Sequence, residues 1–310
     1  MGILQGIVIA SLGGFCYVRP EIGGVEGAGA AKAAGGAVES LECKPRGKVK
    51  FADRIIVGDR VAVTCIDAKT GIIEKIYPRK SQLLRPVIAN VDQVVIVLAM
   101  KNPDLNLYLA DRFLLQAEVQ HLDIIVCLNK CDLVAPKEVK AAGRHFEAAG
   151  YRVLSTEAVN NVGQRRLRAL LAGRVSVVAG PSGAGKSALL NMVEPGFALR
   201  TGSVSEKIGR GKHTTRHTTL NALKAGGFVA DTPGFTQLDI EGVAAADLAS
   251  FFPEFAGVAG QCRFRGCVHI SEPNCAIKDA VAEGTIRPDR YEHYTRFYQE
   301  LIDQEKRRFH

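Results

Sequence analysis

Along its first 80 residues the chain sets short apolar, largely β-branched runs between Gly, Asp and Lys turns, and no 3.6-residue periodicity interrupts them. Strand candidates fall at 7–10, 15–18, 40–43, 60–65 and 72–77. Short strands without a helix suit a small closed barrel, which leaves no sheet edge unpaired, and an all-β oligonucleotide-binding (OB-fold) barrel is expected. The stretch 23–37, between the second and third candidates, is almost all Gly and Ala. It has little side chain with which to build a core and is expected to be a flexible loop.

At Pro78-Arg79-Lys80-Ser81 the pattern changes to alternating strands and helices. The run 91–99 is apolar almost throughout, as a parallel strand covered on both faces requires, and further strands are expected at 123–128, 151–154, 175–179 and 227–230. Helical periodicity predicts helices at 107–119, at 136–149 closed by Gly150, at 162–172 ending at Gly173, and from 188 onward. The expected architecture is an α/β domain, with mainly parallel strands and helices on both faces, over 81–245. The barrel precedes it at 1–80, and a smaller, mainly helical module follows at 246–310 with a last helix from Asp289.

Between the strand 175–179 and the helix from 188 lies Gly180-Pro181-Ser182-Gly183-Ala184-Gly185-Lys186-Ser187, which fills every fixed position of the phosphate-loop pattern G-x-x-x-x-G-K-[ST]. Glycines let the backbone wrap an anion, the helix N-terminus offers unpaired N–H groups, Lys186 neutralises charge, and the Ser187 hydroxyl is a Mg²⁺ ligand. At the end of the strand 123–128 stands Asn129-Lys130-Cys131-Asp132, an N-K-x-D sequence. An ionised Asp132 only accepts hydrogen bonds, so it matches the ring N–H and exocyclic amine of guanine, a donor pair that adenine lacks. Asn129 either meets the other base edge or steadies the phosphate loop, and the Lys130 stem packs over the base. Ser155-Thr156, after the strand 151–154, is placed to offer backbone N–H groups to the guanine oxygen.

Downstream, the strand 227–230 leads into Asp231-Thr232-Pro233-Gly234, a D-x-x-G turn in which Asp231 would hold Mg²⁺ through water and the Gly234 N–H would sense a γ-phosphate. The intervening stretch 199–219 carries Arg200, Lys207, Arg210, Lys212 and Arg216 against the single acid Glu206, together with His213-Thr214-Thr215. It is expected to be a mobile switch loop, with Thr214 or Thr215 completing the Mg²⁺ shell. The residue after D-x-x-G, often a water-orienting Gln, is here Phe235. A phenyl ring cannot orient water, so His213 is the candidate for that task.

In this chain N-K-x-D precedes the phosphate loop, the reverse of the usual GTPase order, so the same sheet must be threaded from a different starting strand. With the barrel, Gly209-Arg210-Gly211-Lys212-His213-Thr214-Thr215, Asp231-Thr232-Pro233-Gly234-Phe235 and a cysteine cluster, the chain resembles the circularly permuted, ribosome small subunit-dependent GTPase A family (RsgA, also called YjeQ) over nearly its whole length. The resemblance implies a GTPase that binds the small ribosomal subunit and its rRNA, acts late in that subunit's maturation and is stimulated by it. It also implies the water-positioning role of His213.

The cluster is Cys262, Cys267, His269 and Cys275, spaced C-x₄-C-x-H-x₅-C. Three thiolates and an imidazole make a closed tetrahedral set for one structural Zn²⁺ per chain, which would fold a small, core-poor module. Disulfides are the competing use, but three cysteines pair badly. The other five cysteines are scattered and read as small buried hydrophobes.

Composition adds only a little to this picture. The chain has 310 residues, with 47% hydrophobic and 23% charged, and so is not disordered as a whole. Its 40 Lys and Arg outnumber 32 Asp and Glu for a net charge of +8, which favours a polyanionic partner. Arg46, Lys48, Lys50 and Arg54 on the barrel, Arg263, Arg265 and Lys278 beside the cysteines, and Lys306-Arg307-Arg308 at the end are either RNA contacts or a solvated basic surface. No signal peptide opens the chain and the longest apolar run, 94–100, is too short to span a bilayer, so a cytosolic protein without a membrane partner is expected, working as a monomer. Two competitors stay open. Asp132 argues against a P-loop kinase or ATPase, while Phe235 keeps a GTP-gated RNA-binding scaffold in play.

Overall fold

The structure is a computed structural model that describes residues 3–26, 40–47, 54–84, 86–197, 218–231, 240 and 242–308. Along the chain run β1 (Ile3–Leu12), β2 (Phe15–Glu26), β3 (Leu41–Pro45), β4 (Arg60–Cys65), β5 (Thr70–Ile76), β6 (Gln82–Leu84), β7 (Val87–Ala89), β8 (Gln93–Ala99), α1 (Leu107–Val119), β9 (Asp123–Asn129), α2 (Pro136–Ala148) and β10 (Arg152–Ser155). They are followed by α3 (Gln164–Leu171), β11 (Val175–Ala179), α4 (Lys186–Val193), β12 (Thr219–Ala222), β13 (Phe228–Asp231), α5 (Ala276–Ala282) and α6 (Pro288–Arg308), with short 3-10 turns between β13 and α5. The chain divides into two compact units, Met1–Gln93 with Arg168–Val178 and Val193–Phe235, and Val94–Leu167 with Ala179–Met192 and Thr236–His310.

In the first unit, β1 to β5 close into an OB-like barrel in the order β1-β2-β3-β5-β4, with β4 returning to pair antiparallel with β1 and β3 running parallel to β5. Alternate residues point inward and fill it: Val8, Val18, Leu41, Cys43, Val61, Val63 and Ile73 are all buried. The expected strands are therefore all present. β2, however, runs on through Gly23 and Gly24 to Glu26, because β1 begins early enough for Ile3 and Leu4 to pair with Glu26 and Val25. Backbone pairing needs no side chain, so a Gly-rich sequence joined the ladder, and the rest of the expected loop lies outside the described residues. Of the basic barrel candidates, Arg46 is ion-paired with Glu74, Arg54 is exposed, and Lys48 and Lys50 lie outside the described residues.

The linker around Pro78–Ser81 is anchored rather than loose. Asp59, fully buried, accepts from Arg79 Nε at 2.7 Å and Nη2 at 2.9 Å. Gly58 has φ +90°, and a Cβ there would sit 2.0 Å from the Ala89 carbonyl, so only glycine lets the β6–β7 hairpin approach. The same unit holds β11 parallel to β13, with β12 antiparallel on the other side of β13.

In the second unit β9 lies between β8 and β10 and runs parallel to β10. All seven residues of β8 are buried, as its near-continuous apolar run predicted. Asn106 caps α1, its Oδ1 accepting from Leu109 N at 3.0 Å. The C-terminal residues Leu248, Phe252, Phe255, Tyr294, Phe297 and Leu301 share one core with Leu115 of α1. Among the described residues no helix is long and apolar enough to cross a membrane.

Candidate functional site

β11 ends at Ala179 and α4 begins at Lys186, so the phosphate-loop sequence is the turn from a buried strand into a helix start. Its glycines are there by necessity. Gly180 has φ +131° and a Cβ there would lie 2.1 Å from the Val97 carbonyl; Gly185 has φ +94° and a Cβ would lie 2.3 Å from Asn129 Nδ2. The turn leaves the first N–H groups of α4 without helical partners, the arrangement that binds anions. Lys186 folds back over the loop, its Nζ donating to Gly180 O and Pro181 O at 2.8 Å each. Burial lowers its pKa from that of a free lysine. Ser187 is exposed on the first turn of the helix.

The loop is tied to the end of β9 by one buried amide. Asn129, 1% exposed, donates from Nδ2 to the Ala184 carbonyl of the phosphate loop at 3.0 Å, while its Oδ1 lies 3.1 Å from Thr156 Oγ1 as acceptor. Because the Ala184 carbonyl only accepts, the amide cannot turn over without setting two oxygens face to face, and its N–H₂ stays aimed at the loop. Of the two tasks expected of Asn129, the side chain performs the steadying one. Lys130 adopts a left-handed backbone with φ +58°, and its Nζ donates to Asn102 O. Asp132 is exposed in the 3-10 turn Cys131–Leu133. At the end of β10 the expectation narrows: the Thr156 N–H donates to Leu128 O at 2.8 Å, which leaves Ser155, exposed, as the candidate backbone donor to a base.

Thr156 and the Asn102-Pro103 turn were not identified as site residues from side-chain chemistry. The turn touches the site twice, through Lys130 and through Gly183, where a Cβ would sit 3.4 Å from Pro103 Cδ. Asp231 is the last residue of β13, in register with Thr219 of β12. His213, Thr214, Thr215, Gly234 and Phe235 lie outside the described residues, as does most of the stretch 199–219.

The four cysteine-cluster residues converge. Their ligand atoms all lie within 4.8 Å of one another, with Cys262 Sγ to Cys275 Sγ at 4.0 Å and His269 Nδ1 at 3.5 and 3.4 Å from these two sulfurs. Tetrahedral zinc with bonds of about 2.3 Å to sulfur and about 2.0 Å to nitrogen needs edges of about 3.8 and about 3.5 Å, so the donors already stand near a metal's coordination shell. All eight cysteines are free thiols. The surrounding chain is held by its own bonds: Glu272 accepts from Val268 N, Ile270 N and Ser271 N, and the hydroxyls of Tyr291 and Tyr294 donate to His269 O and Val268 O at 2.7 and 2.6 Å. The cluster can hold a metal ion.

The sequence pattern of the RsgA GTPase family matches residues 76–241, which span β8, the N-K-x-D turn, the phosphate loop and D-x-x-G. The chain belongs to the RsgA GTPase family. Among its relatives, a small ribosomal subunit biogenesis GTPase RsgA from Clostridium beijerinckii is 40% identical over 308 residues, covering 99% of this chain and 100% of that one. The protein of the same name from Alkaliphilus metalliredigens is 44% identical over 302 residues, covering 96% of this chain and 97% of its own. The crystal structure of YjeQ from Thermotoga maritima superposes with a TM-score of 0.81 at 34% identity, over 97% of this chain and 99% of that one. A second crystal structure, of YloQ, described as a circularly permuted GTPase, gives 0.79 at 31% identity over 97% of this chain and 96% of its own.

One further feature of this RsgA-family chain has no counterpart in its sequence motifs. Asp111 of α1, fully buried, lies 2.9 Å from His145 Nε2 of α2, 2.6 Å from His293 Nδ1 of α6 and 2.8 Å from Arg290 Nη1 of α6. Arg290 in turn grips Glu254 at 2.6 and 3.1 Å, and Asp289 reaches His145 Nδ1 at 3.1 Å. Burial pushes the Asp111 carboxyl up, but the hydrogen bonds from both histidines and the Arg290 charge outweigh it and hold it well below the usual range. An aspartate with two histidines is also a metal-ligand set, yet here a guanidinium occupies the position beside the shared oxygen, so the group reads as a buried ion cluster.

Proposed function

We propose that the chain binds GTP with Mg²⁺ in the turn Gly180–Ser187 and hydrolyses it to GDP and phosphate, in association with the small ribosomal subunit and its rRNA, whose late maturation it assists. The observation that carries this reading is the Asn129 amide, which joins the turn bearing Asp132 to the phosphate loop so that base-reading and phosphate-holding parts act as one body. The shared name of the relatives supports the ribosomal part. Asp132 reads guanine, with Lys130 over the base and Ser155 at its oxygen. Ser187, Asp231 and either Thr214 or Thr215 are the Mg²⁺ ligands, Gly234 senses the γ-phosphate, and His213 positions the attacking water. When bound, Mg²⁺ neutralises charge on the phosphate oxygens. Cys262, Cys267, His269 and Cys275 hold one structural Zn²⁺, for which the donor set of three thiols and an imidazole is the support. The functional division is 1–80 for the barrel, 81–245 for the GTPase domain and 246–310 for the zinc module, in a cytoplasmic monomer.

Co-sedimentation with small ribosomal subunits in the presence of a GTP analogue or GDP, run beside GTP turnover with and without subunits, tests the reading. Salt-sensitive association favouring the analogue, and turnover raised by the subunits, are expected. Association indifferent to nucleotide, with no turnover in either condition, overturns it. Nucleotide-gated association without turnover favours the scaffold reading that Phe235 keeps open. A His213→Ala chain that binds GTP normally and is still stimulated in full removes His213 from its role.

A further inference from the structure

The loop between the first two metal-ligand candidates carries Arg263-Phe264-Arg265-Gly266. Phe264 is 44% exposed and is the one aromatic among the large exposed hydrophobics of the described residues, whereas Phe252, Phe255 and Tyr294 of the same module are buried. The ring is not at the tip of a loose loop. Cys262 and Cys267 stand in the cluster at either end, Arg263 N donates to Asn274 O at 3.4 Å, and Gly266 turns the chain with φ +73°. The surroundings are cationic. Arg263 and Arg265 are exposed, the Arg263 guanidinium lies 5.5 Å from the Phe264 ring centroid, and no Asp or Glu occurs from Ala256 to Ser271. The acids that flank this stretch are engaged elsewhere, Glu254 on Arg290 and Glu272 on three backbone N–H groups.

An exposed aromatic face between two cations fits an unpaired nucleobase with its phosphates on either side. Paired A-form RNA hides its base faces from such a ring, and an apolar protein patch would call for more exposed hydrophobic surface around Phe264 than Arg263, Arg265 and Gly266 provide. We propose that Phe264 is a stacking platform for an unpaired RNA base, with Arg263 and Arg265 holding the adjoining phosphates. This rests on the reading that the chain works on small-subunit rRNA and names the element that would touch it.

The test uses the full chain in its metal-loaded form, with a short unstructured oligoribonucleotide and with small ribosomal subunits, over a range of salt. Phe264→Ala is expected to weaken oligonucleotide binding about 5- to 150-fold without changing the salt slope, and Phe264→Tyr to stay within about twofold of the parent chain. Arg263→Gln with Arg265→Gln is expected to lower the slope of log affinity against log salt by about 1.4, about 0.7 for each phosphate left without its arginine. Metal content and circular dichroism matching the parent chain show that the variants are folded. Parent-like oligonucleotide and subunit binding by Phe264→Ala overturns the platform and leaves the ribosomal reading intact. Full rescue by Phe264→Leu also overturns it, in favour of an apolar protein contact. Oligonucleotide binding that depends on Phe264, in a chain that ignores small subunits in every nucleotide state, upholds the platform and removes the ribosomal reading.

Discussion

A carboxylate accepts hydrogen bonds and donates none, so Asp132 selects a base by the donors that base presents. Asp132→Asn exchanges one acceptor for a donor. Guanine then faces a mismatched amine, whereas xanthine, which carries a carbonyl at that position, becomes the better partner. GTP affinity is expected to fall about 10- to 100-fold and xanthosine triphosphate to overtake it, since hydrogen bonds to a charged group contribute about 1.5–3 kcal/mol each. Competitive titration of a fluorescent nucleotide measures both, and unchanged preference for GTP would remove Asp132 as the base reader. What was legible at this scale was whatever chemistry is local: Gly180, Gly185, Lys186, Asn129 and Asp132 stand at fixed spacings because each acts through its own backbone or its own side chain. Thr156 was not, because its hydroxyl matters through an oxygen 27 positions away, on Asn129. The Asn102-Pro103 turn was missed for the same reason, as its bond with Lys130 spans 28 positions.

Helix α6 shows what a periodicity argument leaves out. Its length and position follow the pattern, but Arg290, His293, Phe297 and Glu300, spaced three and four apart, form a face turned toward α1, where they meet Asp111, Tyr108 and Arg112. A charged face reads in sequence as solvated; it is buried here because its partners come from three other segments. Burying charges is offset only when each is paired, and deleting one partner leaves the others exposed to that cost. Asp111→Ala is therefore expected to lower the unfolding free energy by about 3–5 kcal/mol, measured by urea denaturation, and Asp111→Asn to lower it as well, because the amide removes the charge opposite Arg290 and turns one of the two acceptor oxygens into a donor. The pH dependence has a definite sign. Burial raises the Asp289 carboxyl, but the Arg287 hydrogen bonds and His145 outweigh it and hold it at about 2, below the 3.8 of an unperturbed aspartate, and Asp111 is shifted in the same direction. Carboxyls depressed in the folded state stabilise it above their unfolded pKa, so this contribution is steady above about pH 4 and disappears as pH falls toward 2. Denaturation midpoints at pH 5 and pH 3 should differ more for the parent chain than for Asp289→Asn. An equal or smaller difference in the parent chain would show that the cluster is not linked to acid stability.

At the scale of the whole molecule the question is which parts survive without the others. From Ala245 onward the chain runs through 3-10 turns at Ala245–Phe251, Pro253–Phe255 and Ala259–Gln261, and α5 has seven residues, too few to be stable alone. Their order comes from the shared core, into which Cys275 is 99% withdrawn and against which His269 packs, its ring 6.1 Å from Phe255 and 6.4 Å from Tyr294. A metal at the cluster would thus pin the loop 262–275 to that core, while Arg290 of α6 keeps its own hold on α1 through Asp111 and on the turn Pro253–Phe255 through Glu254. The bonds among Asn129, Thr156 and Ala184 involve neither group. Removing the metal with a chelator should therefore have a divided outcome. Trypsin is expected to cut after Arg263 and Arg265 far faster in the stripped protein, as mass spectrometry of the fragments would report, and added Zn²⁺ should restore resistance. GTP-analogue affinity should stay within about twofold, as for sites that share no partners. If the loop is cut equally fast with and without the metal, the cluster does not order the module. If nucleotide affinity collapses along with the loop, the metal site and the nucleotide site are coupled, and the independence seen in their bonding does not hold in solution.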